Sequence, residues 1–111
     1  MSTRIMIERK FKNPITSDIL KTIDEIRIKA LRQRGYIGGE TVVNADDDRE
    51  VLVISSWASV DDWKEWYETK DWKDYEKDLA PHLDGPVKVT VFIPRAEYEQ
   101  KLPETSIRAV K

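Results

Sequence analysis

The order of its segments predicts an α+β domain: a ferredoxin-like split βαβ unit with helices on one face of a four-stranded antiparallel sheet, two copies of which form a dimeric α+β barrel. Three observations carry this expectation. Apolar residues alternate at period two in four segments and recur at three and four in the segments between, giving the order strand, helix, strand, strand, helix, strand. The third and fourth strands carry apolar residues on both faces, Leu52 and Ile54 against Val51 and Val53, and Phe92 against Val91 and Ile93. The sheet face that no helix covers is then too apolar for water, and a second copy laid against it is the simplest cover. Finally, all four Trp and two of the four Tyr fall between Ser55 and Leu83, a concentration that two short amphipathic helices would gather into one aromatic surface.

Each element has its own signal. Arg4 to Phe11 reads as the first strand, with Ile5, Ile7 and Phe11 on one face and Met6, Glu8 and Lys10 on the other, ended by Asn13-Pro14. Ile19, Leu20, Ile23, Ile26, Ala30 and Leu31 mark a long amphipathic helix from about Ser17 to Arg34, with Ser17 as expected N-cap and Gly35 as stop. Tyr36 to Asn44 forms a strand with an irregular Gly38-Gly39 entry, and the run ADDDR turns it into a hairpin partner from Glu50 to Trp57. Trp63, Trp66 and Tyr67 share one helical face, and Trp72, Tyr75 and Leu79 share another. After the turn Leu83-Asp84-Gly85-Pro86, the alternation of Val87, Val89, Val91 and Ile93 marks the last strand. Residues 1–94 thus form the domain. Residues 95–111 form a tail that begins as a helical turn, since Tyr98 and Leu102 are four apart, is limited by Pro103, and is available for a subunit contact.

Composition narrows the partners. The chain of 111 residues is one domain, large enough to bury roughly 65% of its unfolded surface without staples. It has no cysteine, which excludes disulfides, thiolate metal sites and a cysteine nucleophile, and with a single histidine no metal-ligand spacing exists. No stretch is apolar enough for a signal peptide or a membrane span, so a cytoplasmic protein without a membrane partner is expected. Nineteen basic and 21 acidic residues are interspersed to a net charge of −2, leaving no basic footprint for nucleic acid. The acidic run Asp46 to Asp48 lacks the alternating ligands, central Gly and closing Glu of a calcium loop and reads as a polar turn. Gly35, Gly38 and Gly39 precede no helix that could receive a phosphate, so they serve backbone geometry.

The segment GYIGGETVVNADDDREVLVISSWASVDDWKEWYETKDWKDY resembles the antibiotic biosynthesis monooxygenase domain over roughly Arg4 to Ile93. The resemblance rests on the Gly35-Tyr36-Ile37-Gly38 strand entry, Trp57 followed by Ala58-Ser59, and then Trp63, Trp66 and Trp72. It implies the dimeric barrel and a range of chemistry: cofactor-free oxidation of phenols and quinols, haem degradation, or no known activity. The haem-degrading members use an Asn, a Trp and a His at positions that correspond here to Arg9, Trp57 and Glu76. Only the Trp is kept, and the one histidine, His82, lies beyond the expected place, so haem is disfavoured and no cofactor is expected. The phenol-oxidising members are matched at Trp57, by Trp63 in place of their Tyr and by Lys77 in place of their Arg, while their Asn is replaced by Val53.

Without a cofactor, an oxygenase must use its substrate as electron donor, and a deprotonated hydroxylated aromatic can serve. The protein then supplies an apolar slot, a base, and a cation for the anion. Trp57, Trp63, Trp66 and Trp72 are the candidate slot for a small aromatic ligand, Glu76 or His82 the candidate base, and Arg9 or Lys77 the candidate cation. Each has a plainer reading: the Trp cluster as core, His82 as a cap or surface residue, and Glu76 in a solvated face with Lys73 and Lys77. Two functions therefore stand side by side, a cofactor-free monooxygenase of a small quinol or phenol and a non-catalytic binding or interaction module on the same barrel.

Overall fold

A computed structural model describes residues 2–102. The elements are β1 (Thr3–Lys10), α1 (Ser17–Ala30), β2 (Tyr36–Asn44), β3 (Asp47–Trp57), α2 (Val60–Tyr67), α3 (Lys70–Leu79), a 3₁₀ turn (Ala80–His82), β4 (Lys88–Phe92) and α4 (Arg95–Lys101). The strands form one antiparallel sheet in the order β2-β3-β1-β4, which is the expected split βαβ arrangement. In β1, Thr3, Ile5, Ile7 and Arg9 are buried while Arg4, Glu8 and Lys10 are exposed, so the inward face includes an arginine among the aliphatic residues.

Several boundaries differ from the sequence reading. Helix α1 stops at Ala30, four residues before Arg34, because Leu31, Arg32 and Gln33 enter a tight turn whose amides bond Arg27, Lys29 and Ala30 carbonyls. Its cap is Thr16, not Ser17; the Thr16 hydroxyl accepts from the Ile19 amide. Strand β3 begins at Asp47, so only Ala45 and Asp46 make the hairpin turn and the acidic run is split between turn and strand. The tail contributes a helix of seven residues rather than one turn, with no buried residue; Pro103 and the rest of the tail lie outside the described residues.

The local chemistry fixes how the aromatic helices meet the sheet. Gly35 has φ +84°, and a side chain there would also collide with the Asp62 carboxyl, so the turn into β2 is open only to glycine. The Gly35 carbonyl accepts from Ala58 at 2.7 Å, tying the start of β2 to the end of β3. Ser59 caps α2 through the Asp62 amide, and Thr69 caps α3 through the Trp72 amide. Thr69 also donates its hydroxyl proton to the Trp66 carbonyl at 2.7 Å, which sets the angle between the two helices. Trp66 and Trp72 consequently meet edge to face, centroids 6.0 Å apart. The core between sheet and helices contains Ile5, Ile7, Phe11, Ile23, Ile26, Val51, Leu79 and all four tryptophans. On the other face, Val42, Leu52, Ile54, Met6 and Phe92 remain partly or largely open, Phe92 at 54%.

Candidate functional site

Three buried polar residues, Thr3, Arg9 and Ser55, all point to the helix-covered face of the sheet. Arg9 matters most. It is 3% exposed, its guanidinium pairs with Glu76 of α3, and its Cζ lies 6.0 Å from the centre of the Trp72 ring. The ion pair and the ring offset the large cost of placing a cation in the core. One donor is left over: Arg9 Nε is buried and has no hydrogen-bond partner among the described residues. An unsatisfied buried donor costs about 1–3 kcal/mol, a cost that an incoming oxygen anion would remove.

Arg9 lines a narrow cavity. Its walls are Trp57 on β3, Trp63 and Trp66 on α2 and Trp72 on α3; its floor includes Ile7, Val53 and Ser55; α1 closes it with Ile23, Ile26, Arg27 and Ala30; Tyr36 and Gly39 form the β2 side. About 40 Å³ is open to the centre of a water molecule. One water needs on the order of 10–15 Å³ of such space, so a few waters or one edge of a single ring fit without movement. Besides the indole N–H groups of the four tryptophans, the polar groups of the lining are the two arginines, the Ser55 hydroxyl and the Tyr36 phenol, with no carboxylate and no imidazole. Trp57 is 1% exposed; its indole N–H donates to Ser55 Oγ at 3.1 Å and its ring stands edge-on to Tyr36 at 5.2 Å. A Cβ on Gly39 would lie 2.9 Å from the Tyr36 hydroxyl and 2.7 Å from the Ile54 carbonyl, so glycine there makes room for the phenol.

The residues singled out in the sequence therefore divide. Trp57, Trp63, Trp66, Trp72 and Arg9 come together around one cavity, and the tryptophans are at the same time core. Glu76 joins them through Arg9 while itself lining an outer groove of about 280 Å³ with Tyr67, Lys73 and Val89, and Trp72 is the wall common to groove and cavity. Lys77 is exposed on α3 and outside the lining. His82 is exposed on the 3₁₀ turn, its carbonyl accepting from Lys12, beside a different cavity that shares no residue with the first. The residues do not fit haem: the carboxylate at the proposed ligand position is committed to Arg9, and no histidine reaches the cavity. Ser55, Tyr36 and Arg27 had not been anticipated. Their signals were present, since Ser55 lies two residues before Trp57 on the same strand face, and Arg27 four after Ile23 on the apolar stripe of α1.

Among the described residues no group of three or more His, Cys, Asp or Glu is placed to hold a metal, and no helix is long and apolar enough to cross a membrane. The antibiotic biosynthesis monooxygenase family matches residues 4–78. No curated protein matches the chain. Among solved structures, a conserved protein from Methanosarcina mazei is similar with TM-score 0.78 at 10% identity, covering 86% of this chain and 94% of that one. SnoaB, a cofactor-independent oxygenase from Streptomyces nogalater, gives TM-score 0.75 at 12% identity over 85% and 93%. Rv0793 from Mycobacterium tuberculosis gives 0.74 at 17% identity over 85% and 95%. At these identities the structural likeness speaks for the fold.

Proposed function

The chain belongs to the antibiotic biosynthesis monooxygenase family, and from that premise we propose that it is a cofactor-independent monooxygenase whose Trp-walled cavity takes a small quinol or phenol. The observation that carries this reading is Arg9: a buried cation with a free Nε, set in an aromatic slot. Such a slot favours a flat ring, and the free donor favours an oxygen that becomes negative. SnoaB, of the same fold, is a cofactor-independent oxygenase, which supports the absence of any required cofactor here.

The chemistry balances without a reductant. The hydroxyl proton goes to Glu76, which pairs with Arg9 from the outer groove and is reached through a water, while the free Arg9 Nε takes the new oxygen anion. The quinolate gives one electron to dioxygen, and the resulting superoxide and semiquinone combine at a ring carbon as a peroxide. Protonation and loss of water leave a carbonyl, the sum being quinol plus dioxygen to hydroxyquinone plus water. The tryptophans hold the ring and exclude bulk water from the peroxide. The narrow cavity favours a single ring over a polycyclic one; seating a whole ring requires the cavity to widen, and Trp72, the wall shared with the outer groove, is the side chain that moves.

A second reading, ligand binding without turnover, draws on the absence of any carboxylate or imidazole from the cavity lining itself. Oxygen uptake by metal-stripped protein against a panel of quinols separates the two. Protein-dependent uptake that falls in Trp57→Phe supports the oxygenase; binding without uptake above autoxidation supports the module. We further propose that a second copy covers the bare sheet face at Met6, Val42, Leu52, Ile54 and Phe92, apolar residues of all four strands among which Val42 faces Leu52 and Met6 faces Ile54.

A further inference from the structure

Arg27 is the second cation of the cavity, and the chemistry above makes no use of it. It lies on the covering stripe of α1, is half-buried, and donates to Thr41 Oγ1 on β2 at 2.6 Å. The two arginines differ in one respect. Arg9 is neutralised by Glu76, whereas Arg27 has no carboxylate partner among the described residues. The lining holds two arginines and no acid, and the half-buried Arg27, at the rim beside Thr41, is balanced by solvent rather than by a carboxylate. A neutral ligand would leave it so; a ligand with a second acidic group would not.

We infer that Arg27 makes the cavity selective for hydroxylated aromatic carboxylates, with the ring among the tryptophans, its hydroxyl oxygen at Arg9 and its carboxylate at Arg27. The inference rests on the reading of this cavity as a ligand site. A guanidinium offers parallel N–H donors that match the two oxygens of a carboxylate, and one hydroxyl acceptor on Thr41 leaves others free. Burial supports the same polarity. The carboxylate, which is costly to dehydrate, meets the half-buried arginine, and the hydroxyl meets the one that is 3% exposed.

Isothermal titration calorimetry with 2,5-dihydroxybenzoate and with hydroquinone, under anaerobic conditions, tests the assignment on wild type, Arg27→Gln and Arg27→Lys. Wild type binds the benzoate at least about tenfold more tightly than hydroquinone. Arg27→Gln weakens the benzoate at least about tenfold more than it weakens hydroquinone, so the preference is lost, and Arg27→Lys, which keeps the charge but not the fork, retains part of it. If both compounds bind and Arg27→Gln preserves the preference, the inference is wrong while the cavity remains a ligand site. If neither compound nor the wider quinol panel binds wild type, the ligand-site reading falls and takes the inference with it.

Discussion

The two faces of the sheet bury apolar surface by different means. Under the helices, the chain closes over its own Ile5, Ile7, Val51 and Trp57 and draws Arg9 and Ser55 in with them. On the other face, Met6, Leu52, Ile54 and Phe92 are left partly open, and the polar neighbours Arg4, Glu8 and Lys10 reach water. The covered face tolerates polar groups only where each has a partner or a use, and Arg9 Nε has no partner. The open face carries no such constraint and offers surface instead. Ligand chemistry is thus to be sought on the first, and a partner subunit on the second.

Substitutions can break this contrast at either face. The largest effect falls on the covered side: Trp57→Ala empties the core at the junction of Tyr36, Ser55 and the cavity, and should cost about 3–5 kcal/mol by urea unfolding. Next, Glu76→Ala strands the Arg9 cation in the core and should cost about 3 kcal/mol, with recovery in the double variant Arg9→Met, Glu76→Ala, which removes both charges. A recovery of nothing would mean that the pair contributes through packing alone. On the open face, Leu52→Asp should lower chemical stability by less than about 1 kcal/mol within one chain, yet convert the proposed dimer to monomer in light scattering. A wild-type protein that is already monomeric at micromolar concentration would remove the proposed second copy.

The smallest effect sharpens the comparison by lying on neither face. Asp47, at the hairpin end of β3, is bonded by the Arg49 guanidinium and amide, which hold its carboxyl below the ordinary carboxylate range. The folded form therefore binds the proton less well than the unfolded one. The contribution is present above the ordinary value and fades as pH falls through the lowered one. Asp47→Asn should therefore lower the melting temperature slightly at neutral pH and by less as pH falls through the acid range, flattening the acid side of the profile.

Much of the fold was legible because period two and period three-and-four patterns do not overlap in this chain. The hairpin, both aromatic helices and the strand order all followed from them. The errors lay where local chemistry competes: Thr16 and Ser17 are both good caps, and only the geometry selects Thr16. The site was half legible. The tryptophans stand out by composition, but Arg9 sits in the inward register between Ile7 and Phe11, and that alternation already marks it as buried. Its pairing with Glu76, 67 positions away, depends on the approach of α3 to β1, which no local pattern encodes. Lys77 rests on the family resemblance and His82 on being the single histidine, and both are exposed; one helical residue beyond Glu76 is enough to turn a side chain to solvent.

The most direct measurement is turnover of 2,5-dihydroxybenzoate and a quinol panel under ¹⁸O₂ with metal-stripped protein, read by mass spectrometry of the product. The account predicts one labelled oxygen in the hydroxyquinone, the other in water, at a rate that Arg9→Gln and Trp57→Phe both reduce. Product that forms no faster than without protein, or at a rate indifferent to both substitutions, would contradict an oxygenase at this cavity.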